Sequence, residues 1–415
     1  MRVLLVLFLT VTAALSDQET VSKVNSDKFS LAKDKRYLVY DVNHGEGFNL
    51  RRDVYMRISN AVRFLREAGE NFHLVLPPWG GLYHWDRQET RQPWGKFFDL
   101  KALTEFVPVM EFDEFLEETA NSPIDQVIYL EHFKEGWGDH YEHKWEKREC
   151  NDRTRIGYKN GGSLWKGWFF SYPDVRAKNF QCISFQGDSS IFKSLILKEY
   201  SDKESIFVDR GETILHADYG GQNYWAARRS MRYAPHLLEI GRTYRLESFD
   251  STDVKDKTVL PPSWRDESPL RQAVGGDYIC AHWRRRDFVR AHGKELPSIK
   301  GTAKILNLLA KKYKVSKIFL ATDASQDELR NLEKYTEFNI VRFANRTLTD
   351  GEIAIVDQII CSRARFFIGS HHSTFSFRIQ EDREIMGFQP ETTFNRMCPD
   401  HQEECEQPAK WKIVH

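Results

Sequence analysis

The sequence predicts an α/β protein built from two Rossmann-like, doubly wound domains in tandem, with a ligand site in the cleft between them. Strand-like and helical segments alternate in both halves of the 415-residue chain, which is long enough for two hydrophobic cores. Hydrophobic residues make up 41% and charged residues 29% of the chain, a balance typical of folded proteins. Sheets of this kind bind ligands beyond the carboxyl ends of their strands.

The first sixteen residues, MRVLLVLFLTVTAALS, have the pattern of a secretory signal peptide. Arg2 precedes an apolar run over residues 3–15, and the small residues Ala14 and Ser16 suit a cleavage site. The run is shorter than the roughly 20 apolar residues needed to span a bilayer, and no later segment approaches that length. We expect a mature protein in the secretory pathway without a membrane span.

Residues 17–245 form the predicted first domain. "RYLVYDVN" (36–43) and "FHLVLPPW" (72–79) are rich in strand formers, and a helical pattern of apolar residues lies between them. Asn49 is the expected N-cap of this helix, whose arginines are expected on its other faces. The aromatic stretch 120–190 fits no period and predicts a long irregular insertion, and residues 219–244 predict one helix.

Residues 246–415 form the predicted second domain and tail. A proline-containing polar segment opens it, and the βα alternation then resumes with the strand "DYICAHWRR". Helices are predicted at 298–313, 326–335, 352–363 and from Ser373 onward, with strands at "KIFLAT", "NIVRFA" and "RFFIGS" between them.

The charge balance excludes a general nucleic-acid binder. Lys plus Arg and Asp plus Glu each number 60, so the chain has no net positive charge to attract a phosphate backbone. Any anion site must be local.

Six cysteines in a secreted chain indicate disulfides. Cys150 with Cys182, and Cys398 with Cys405, are the predicted pairs. Cys280 and Cys361 lie in apolar patterns, and we expect them to be buried free thiols. A zinc site is the alternative, disfavoured because no Cys-x-x-Cys pair exists. The sequon Asn345-Arg346-Thr347 predicts N-glycosylation at Asn345.

The stretch "GEGFNL", residues 45–50, follows the first strand and contains Glu46 between Gly45 and Gly47. It lacks the third glycine of the dinucleotide fingerprint and is not a P-loop. Its position at a helix N-terminus nevertheless suits an anion or a sugar hydroxyl, and burial would raise the pKa of Glu46 toward that of a general base. An exposed turn residue is the alternative.

"YICAHWRRRDF", residues 278–288, places His282 and Arg284 on one side of a strand, with Trp283 on the other. A guanidinium suits a diphosphate leaving group, because its planar donors match phosphate oxygens and it is always charged. The alternative for Arg284 and its two arginine neighbours is a solvated basic patch.

Two further segments suggest ligand contacts. Ser373 and Thr374 stand where a helix begins after "RFFIGSHH", an arrangement that favours phosphate binding over the metal site that His371-His372 would suggest. Asp357 lies in the apolar helix "EIAIVDQII" and must be buried with a partner or face a ligand. A guanine base would suit it by offering two parallel donors. No Asp-x-Asp motif is present to hold a divalent ion.

The segments "NHGEGFNLRRDVYMR", "DRGETILHADYGGQNYW", "HWRRRDF", "IVDQIICSRARFFIGS", "STFSFR" and "CEQPAKWKIVH" together resemble the protein O-fucosyltransferases that modify thrombospondin type 1 repeats. The resemblance covers nearly the whole mature chain. It implies a GT-B fold, GDP-fucose as donor, inversion at the anomeric carbon, no metal or other cofactor, folded repeats as acceptors, and residence in the endoplasmic reticulum lumen.

The resemblance also implies roles for individual residues. Glu46 corresponds to the catalytic base and Arg284 to the group that, with His282, holds the diphosphate. Asp357 corresponds to the guanine contact, and Asp382 stands where an activity-linked Glu is expected. The implied donor-contact segments further include Gly45, Gly47, Phe48, Asn49, Trp283, Ser373, Thr374 and Phe375. A non-catalytic repeat binder and a glycoside hydrolase are the alternatives; the latter would need two facing carboxylates.

Overall fold

The computed structural model describes residues 34–82, 85–86, 89–136, 141–151, 157–267, 270–370, 372–393, 395–402, 404–407 and 411–415. The predicted signal peptide, residues 1–16, lies outside them. Two largely parallel sheets carry helices on their faces, and the carboxyl ends of both sheets border one cleft. In the described ranges no helix is long and apolar enough to cross a membrane.

The first sheet has nine strands among the described residues, in the order β3-β2-β1-β9-β4-β8-β7-β6, with β5 paired to β8. Its strands are β1 (Arg36–Tyr40), β2 (Phe72–Leu76), β3 (Val109–Glu111), β4 (Ile124–Glu131), β5 (Lys144–Arg148), β6 (Lys159–Asn160), β7 (Trp165–Lys166), β8 (Ala177–Gln186) and β9 (Ser205–Asp209). The accompanying helices are α1 (Phe48–Glu67), α2 (Leu100–Phe106), α3 (Phe112–Glu118), α4 (Ser189–Glu199), α5 (Gln222–Ser230) and α6 (Pro235–Phe249).

The second sheet has five parallel strands in the described part of the chain, ordered β12-β11-β10-β13-β14. They are β10 (Gly276–Trp283), β11 (Lys317–Thr322), β12 (Asn339–Val341), β13 (Ala364–Gly369) and β14 (Asn395–Arg396). The helices are α7 (Arg286–Ala291), α8 (Ile299–Tyr313), α9 (Gln326–Tyr335), α10 (Asp350–Ser362), α11 (Thr374–Met386) and α12 (Pro390–Thr393). The predicted elements of this domain are therefore present in the predicted order.

The prediction of an irregular insertion over residues 120–190 is wrong. β4 pairs in parallel with both β8 and β9, so this stretch supplies two inner strands of the first sheet. The irregular part is confined to the connection between them, where β5, β6 and β7 add antiparallel pairs. β8 escaped prediction because its burial does not alternate: Lys178 and Asn179 are exposed, while its last five residues are all buried, so no two-residue period marks it.

The prediction of one helix over residues 219–244 is also wrong, since α5 ends at Ser230 and α6 starts at Pro235. Proline suits the first turn of a helix, where its missing N–H has no partner to lose. α6 then packs on the second domain. A β-carbon at Gly241 would lie 2.6 Å from Ile359 of α10, so only glycine permits this close approach. The predicted domain boundary at residue 245 falls inside this helix.

Three disulfides are present among the described residues. Cys150–Cys182 and Cys398–Cys405 form as predicted. The prediction that Cys280 and Cys361 are free thiols is wrong, because they form the third disulfide, with their α-carbons 5.0 Å apart. Cys280 points to the side of β10 that α10 covers, and α10 carries Cys361. This bond therefore ties a central strand to the helix that packs on it.

The two domains share a core. The largest cluster of buried apolar side chains runs from Leu38 and Val54 of the first domain to Ile355 and Ile359 of the second. Smaller clusters cover the outer faces of each sheet. The C-terminal tail returns to the first domain, where the ring of Trp411 stacks on that of Tyr219 with the ring centroids 5.3 Å apart. Both contacts restrict movement of one domain against the other.

Candidate active site

A cavity of about 480 Å³ lies between the carboxyl ends of the two sheets. The first domain contributes residues 45–50 together with Trp85 and Asp86. The second domain contributes the ends of β10 and β11, one side of α10 and the start of α11. The predicted ligand residues from segments more than 300 positions apart thus meet in one cleft, which fits the position expected for a doubly wound fold.

Glu46 lies in the loop that joins β1 to α1. The helix has Gly47 as its N-cap, in an extended conformation. The Glu46 N–H donates to the carbonyl of Asn43 at 2.9 Å. The side chain of Arg51, one turn into the helix, donates to the carbonyls of Glu46, Asn43 and Val42, each at 3.1 Å. The loop carrying the predicted base is therefore held by its own helix.

The environment of Glu46 favours proton uptake. Partial burial is the main cause that raises the pKa of Glu46, and the nearby carboxylate of Glu212 adds to it, while Arg51 and Arg210 act in the opposite direction. Behind the loop, burial raises the pKa of Asp41 to about 7. A carboxylate with a raised pKa is a better proton acceptor near neutral pH than an exposed one. The structure is thus compatible with the base assignment, and the exposed-turn alternative does not describe Glu46.

The residues beside Glu46 have different environments. Among the described residues, and apart from its two chain neighbours, no atom lies within 4 Å of the position that a β-carbon on Gly45 would take, so a ligand can reach the backbone there. Phe48 is buried and packs against Trp79, with the two ring centroids 4.8 Å apart. Asn49 is not the N-cap that the sequence predicted, because Gly47, two residues earlier, takes that position. Its Oδ1 instead accepts a hydrogen bond from Gln358 of α10 at 2.9 Å.

His282 lies at the end of β10 on the opposite wall of the cleft. Its ring stacks on Phe375 with centroids 4.3 Å apart, and Nδ1 lies 2.8 Å from the Ser376 hydroxyl. Burial, aided by the positive charge of Arg284, lowers the pKa of His282 to about 3. The imidazole is therefore neutral at physiological pH and can serve only as a neutral donor or acceptor toward a ligand.

Arg284 is held between two carboxylates. Its guanidinium lies 2.7 Å from Asp287 and 2.8 Å from Asp323, and its backbone N–H donates to Ser370 at 2.9 Å. The side chains of its two arginine neighbours point in other directions and have other partners. Arg285 pairs with Glu328 at 2.8 Å, and the exposed Arg286 pairs across the cleft with Asp86 at 3.0 Å. The stretch is therefore not a uniform solvated patch.

Trp283 does not line the cleft, contrary to its inclusion among the donor contacts. Its side chain is 2% exposed and packs in the core on the other side of the sheet, with Ile279 and Ala281. The two-residue period of the strand causes this, since Trp283 alternates with His282 and Arg284.

One side of α10 faces the cleft with Asp350, Ile353, Ala354 and Asp357. This spacing follows the helical period. Burial raises the pKa of Asp357 to about 8, against a weaker opposing effect of Arg342. Its Oδ1 has no hydrogen-bond partner within the described parts of the chain. This oxygen is therefore available to accept a hydrogen bond from a group bound in the cavity.

α11 begins at the cleft with Ser373 as its N-cap. The Ser373 side chain makes no capping hydrogen bond, so it leaves the amide groups of the first turn to other partners. Thr374 and Phe375 also line the cavity. Of the His371-His372 pair, His371 lies outside the described residues. In the described ranges no group of three or more His, Cys, Asp or Glu side chains is arranged to hold a metal ion.

Asp382 lies away from the cleft, at the domain interface. It accepts hydrogen bonds from Arg228 at 2.5 Å and from the Tyr233 hydroxyl at 2.7 Å. Any effect of this residue on a ligand must pass through other side chains.

The sequence reasoning missed several residues that shape the cleft. Asp323 immediately follows β11, and an acid at the carboxyl end of a parallel strand was the available signal. Arg51 and Arg52 were assigned only to faces of α1 other than its apolar one, and no role in the cleft was predicted for them, yet Arg52 is fully buried. No local pattern marks Gln358, because its partners come from segments more than 120 residues away in the chain.

Asn345 is part-exposed between β12 and α10. Its Oδ1 accepts hydrogen bonds from the backbone N–H and the hydroxyl of Thr347, at 2.8 and 2.7 Å. Its glycosylation stays a prediction.

Comparison with known proteins is consistent with this geometry. A profile of the family described as GDP-fucose protein O-fucosyltransferase matches residues 37–386. The chain is 54% identical to GDP-fucose protein O-fucosyltransferase 2 of Caenorhabditis elegans, over 99% of this chain and 98% of that protein. It is 43% identical to the Homo sapiens protein of the same name, over 92% and 91% of the two chains.

Solved structures show the same fold at lower sequence similarity. A crystal structure of POFUT1 in complex with GDP-fucose superimposes with a TM-score of 0.58 at 13% identity, covering 88% of this chain and 99% of that one. A POFUT1 structure in complex with GDP gives a TM-score of 0.57, with the same coverage.

Proposed function

Because the chain belongs to the GDP-fucose protein O-fucosyltransferase family and is a glycosyltransferase of the GT-B fold, we propose that it transfers fucose from GDP-fucose to Ser or Thr of folded thrombospondin type 1 repeats. The transfer inverts the anomeric carbon and needs no metal ion. The observation that carries this proposal is the position of Glu46 and Arg284 on opposite walls of one cavity.

The chemistry follows from those positions. The acceptor oxygen attacks the anomeric carbon of fucose while the bond from that carbon to the diphosphate oxygen breaks, and its electron pair leaves with GDP. Glu46 takes the proton from the acceptor hydroxyl. A base on one wall and a leaving-group site on the other suit a single displacement with inversion, without a covalent intermediate.

The second domain stabilises the leaving group. GDP gains negative charge as the bond breaks, and the guanidinium of Arg284 together with the N-terminus of α11 offsets that charge. The neutral His282 supplies a hydrogen bond without a further charge. These groups take the part that a divalent ion plays in other nucleotide-sugar enzymes, which is the basis for proposing metal independence.

Asp357 is the proposed contact of the guanine base. Its buried carboxyl group lines the cavity, and N1–H with the exocyclic amine of guanine would supply the two donors that a carboxylate needs there. Adenine and the pyrimidines do not present this pair of donors.

The test is a transfer assay with GDP-fucose and a folded thrombospondin repeat, run with a chelator. Glu46→Gln should lower turnover by roughly 100- to 10,000-fold, the usual contribution of a general base, and leave GDP affinity within about twofold. Glu67→Gln, at the exposed end of α1, is the matched control and should match the wild type. Normal turnover of Glu46→Gln would remove Glu46 as the base. Wild-type protein that binds GDP and repeat without transfer would indicate a non-catalytic binder.

The acceptor is expected on the Glu46 side of the cleft. Trp168 is 56% exposed there, and its ring contacts His44, two residues before Glu46, with centroids 6.2 Å apart. Phe169 and Phe170, both buried, anchor the turn that presents it. We infer that Trp168 contacts the acceptor domain, since exposed aromatic residues often dominate binding energy.

Trp168→Ala should raise KM for the repeat by roughly tenfold and leave KM for GDP-fucose unchanged. Tyr335→Ala on α9, another exposed aromatic residue, is the control. An unchanged KM for the repeat would place the acceptor elsewhere.

We also propose the endoplasmic reticulum lumen as the site of action. Three disulfides among the described residues are typical of an oxidising compartment. Sensitivity of the cellular protein to an endoglycosidase specific for high-mannose glycans would test both the compartment and the use of Asn345.

A further inference from the structure

A network of buried polar side chains crosses the domain interface directly beneath the cleft. It connects the first turn of α1, which follows the Glu46 loop, to α10 and α11 of the second domain. Its members, here called the interdomain network, are Asn49, Arg52, Arg228 and Tyr233 from the first domain and Gln358 and Asp382 from the second.

Gln358 is the central member and is fully buried. Its Nε2 donates to Asn49 Oδ1 at 2.9 Å, and its Oε1 accepts from Arg52 at 2.7 Å. Arg52 also donates to Asn49 at 3.2 Å, which closes a three-membered ring of hydrogen bonds. The two bonds to Asn49 fix the rotamer of a residue that itself lines the cleft.

The network continues from Gln358 to Asp382. Arg52 forms the link, because it donates both to Gln358 Oε1 at 2.7 Å and to the Tyr233 hydroxyl oxygen at 3.3 Å. The Tyr233 hydroxyl in turn donates its single proton to Asp382 Oδ2 at 2.7 Å. Arg228 binds the other oxygen of Asp382 at 2.5 Å. Tyr233, Arg228 and Arg52 all belong to the first domain, so each of these contacts to Gln358 or Asp382 crosses the interface.

Polar contacts of this kind set geometry in a way that apolar contacts do not. Apolar contacts are non-directional and tolerate small shifts, whereas each buried hydrogen bond requires a defined distance and angle and is lost when its partners move apart. Gln358 also follows Asp357, the proposed guanine contact, in α10. One turn of helix therefore carries a donor contact on one side and the link to the Glu46 loop on another.

We propose that Gln358 is a positioning residue that sets the distance between the Glu46 loop and the bound donor. The proposal rests on the proposed function. The proposed diphosphate and guanine contacts, Arg284, Ser373 and Asp357, all belong to the second domain and lie outside the network. Asn49 is the network member that lines the cleft, so loss of the network should affect donor binding much less than the chemical step. The attack on the anomeric carbon does need the network, because Glu46 is in the other domain.

The test is Gln358→Met, which keeps side-chain length and removes every hydrogen bond. Gln380→Met is the matched control, because Gln380 is also a buried glutamine in the second domain but binds the Trp411 carbonyl, not Asn49. Gln358→Met should lower kcat by roughly 10- to 100-fold, the range expected for a misplacement of about 1 Å. KM for GDP-fucose should change less than about threefold, and Gln380→Met should keep wild-type kcat.

Hydrogen–deuterium exchange provides a readout that does not depend on turnover. Amides of residues 43–51 should exchange faster in Gln358→Met than in Gln380→Met. If Gln358→Met does not fold, Tyr233→Phe removes one hydroxyl and should show a smaller change in the same direction. Equal kcat and equal exchange in the two glutamine variants would overturn the proposal. Wild-type protein without transfer activity would instead contradict the proposed function, and the exchange rates would still decide whether the network holds the loop.

Discussion

Binding of GDP-fucose should tighten as pH rises from 6 to 8. Burial raises the pKa of Asp357 to about 8, so the unliganded protein carries a proton there at neutral pH. Guanine offers two donors and binds the carboxylate form, so binding must release that proton. The deprotonated fraction rises from about 1% at pH 6 to about 50% at pH 8, which predicts a roughly 50-fold lower Kd, or about 2.3 kcal/mol.

Isothermal titration calorimetry measures this effect directly. The Glu46→Gln background prevents turnover and removes the other cleft carboxyl group with a raised pKa. Titrations in two buffers of different ionisation enthalpy should report nearly one released proton at pH 6 and about half a proton at pH 8. In an Asp357→Asn variant the affinity should be independent of pH, and at pH 8 weaker by about 1.5–3 kcal/mol, the value of a hydrogen bond to a charged group. A flat wild-type profile, or the same slope in Asp357→Asn, would refute the reasoning.

Two further predictions concern stability and loop geometry. Replacing Cys280 and Cys361 together with alanine should lower the free energy of unfolding by about 2–5 kcal/mol in denaturant titrations, because the disulfide closes a long loop in the unfolded chain; an unchanged transition midpoint would contradict this. Arg51→Met should lower kcat by roughly tenfold and leave GDP affinity intact, because three loop carbonyls around Glu46 lose their donor. Arg63→Met is the control, because Arg63 lies on the same helix but bonds Glu67 and Asn223 and not the loop. Equal kcat in the two variants would count against a role for the Arg51 bonds.

Local patterns correctly predicted most elements near the cleft. The strands at 36 and 278, the helix after Glu46 and the helix from Thr374 follow from their two-residue and 3.6-residue periods, which are properties of the backbone itself. The same periods correctly placed His282 and Arg284 together and Trp283 apart from them. Where burial does not follow a regular period, as in β4 and β8, the prediction failed.

The pairing of the cysteines and the environment of the buried side chains could be learned only from the tertiary structure. Cys280 and Cys361 are 81 residues apart, and each lies in an apolar pattern that a buried free thiol would also satisfy. Only the packing of α10 on β10 brings the two sulfur atoms together. The raised pKa of Asp357 likewise depends on burial by neighbours from several segments, which residue type does not reveal.

The sequence by itself determined most of the strands and helices, which motifs carry acids, arginines and hydroxyls, and which family the chain resembles. Only the tertiary structure decided that Arg52 is buried, that Asn49 binds Gln358, and that Asp382 lies behind the cleft. The physical reason is the distance along the chain over which each property is decided. A residue's backbone preference depends on its near neighbours, whereas the partner of a buried polar group is whatever distant segment the fold brings within hydrogen-bonding distance.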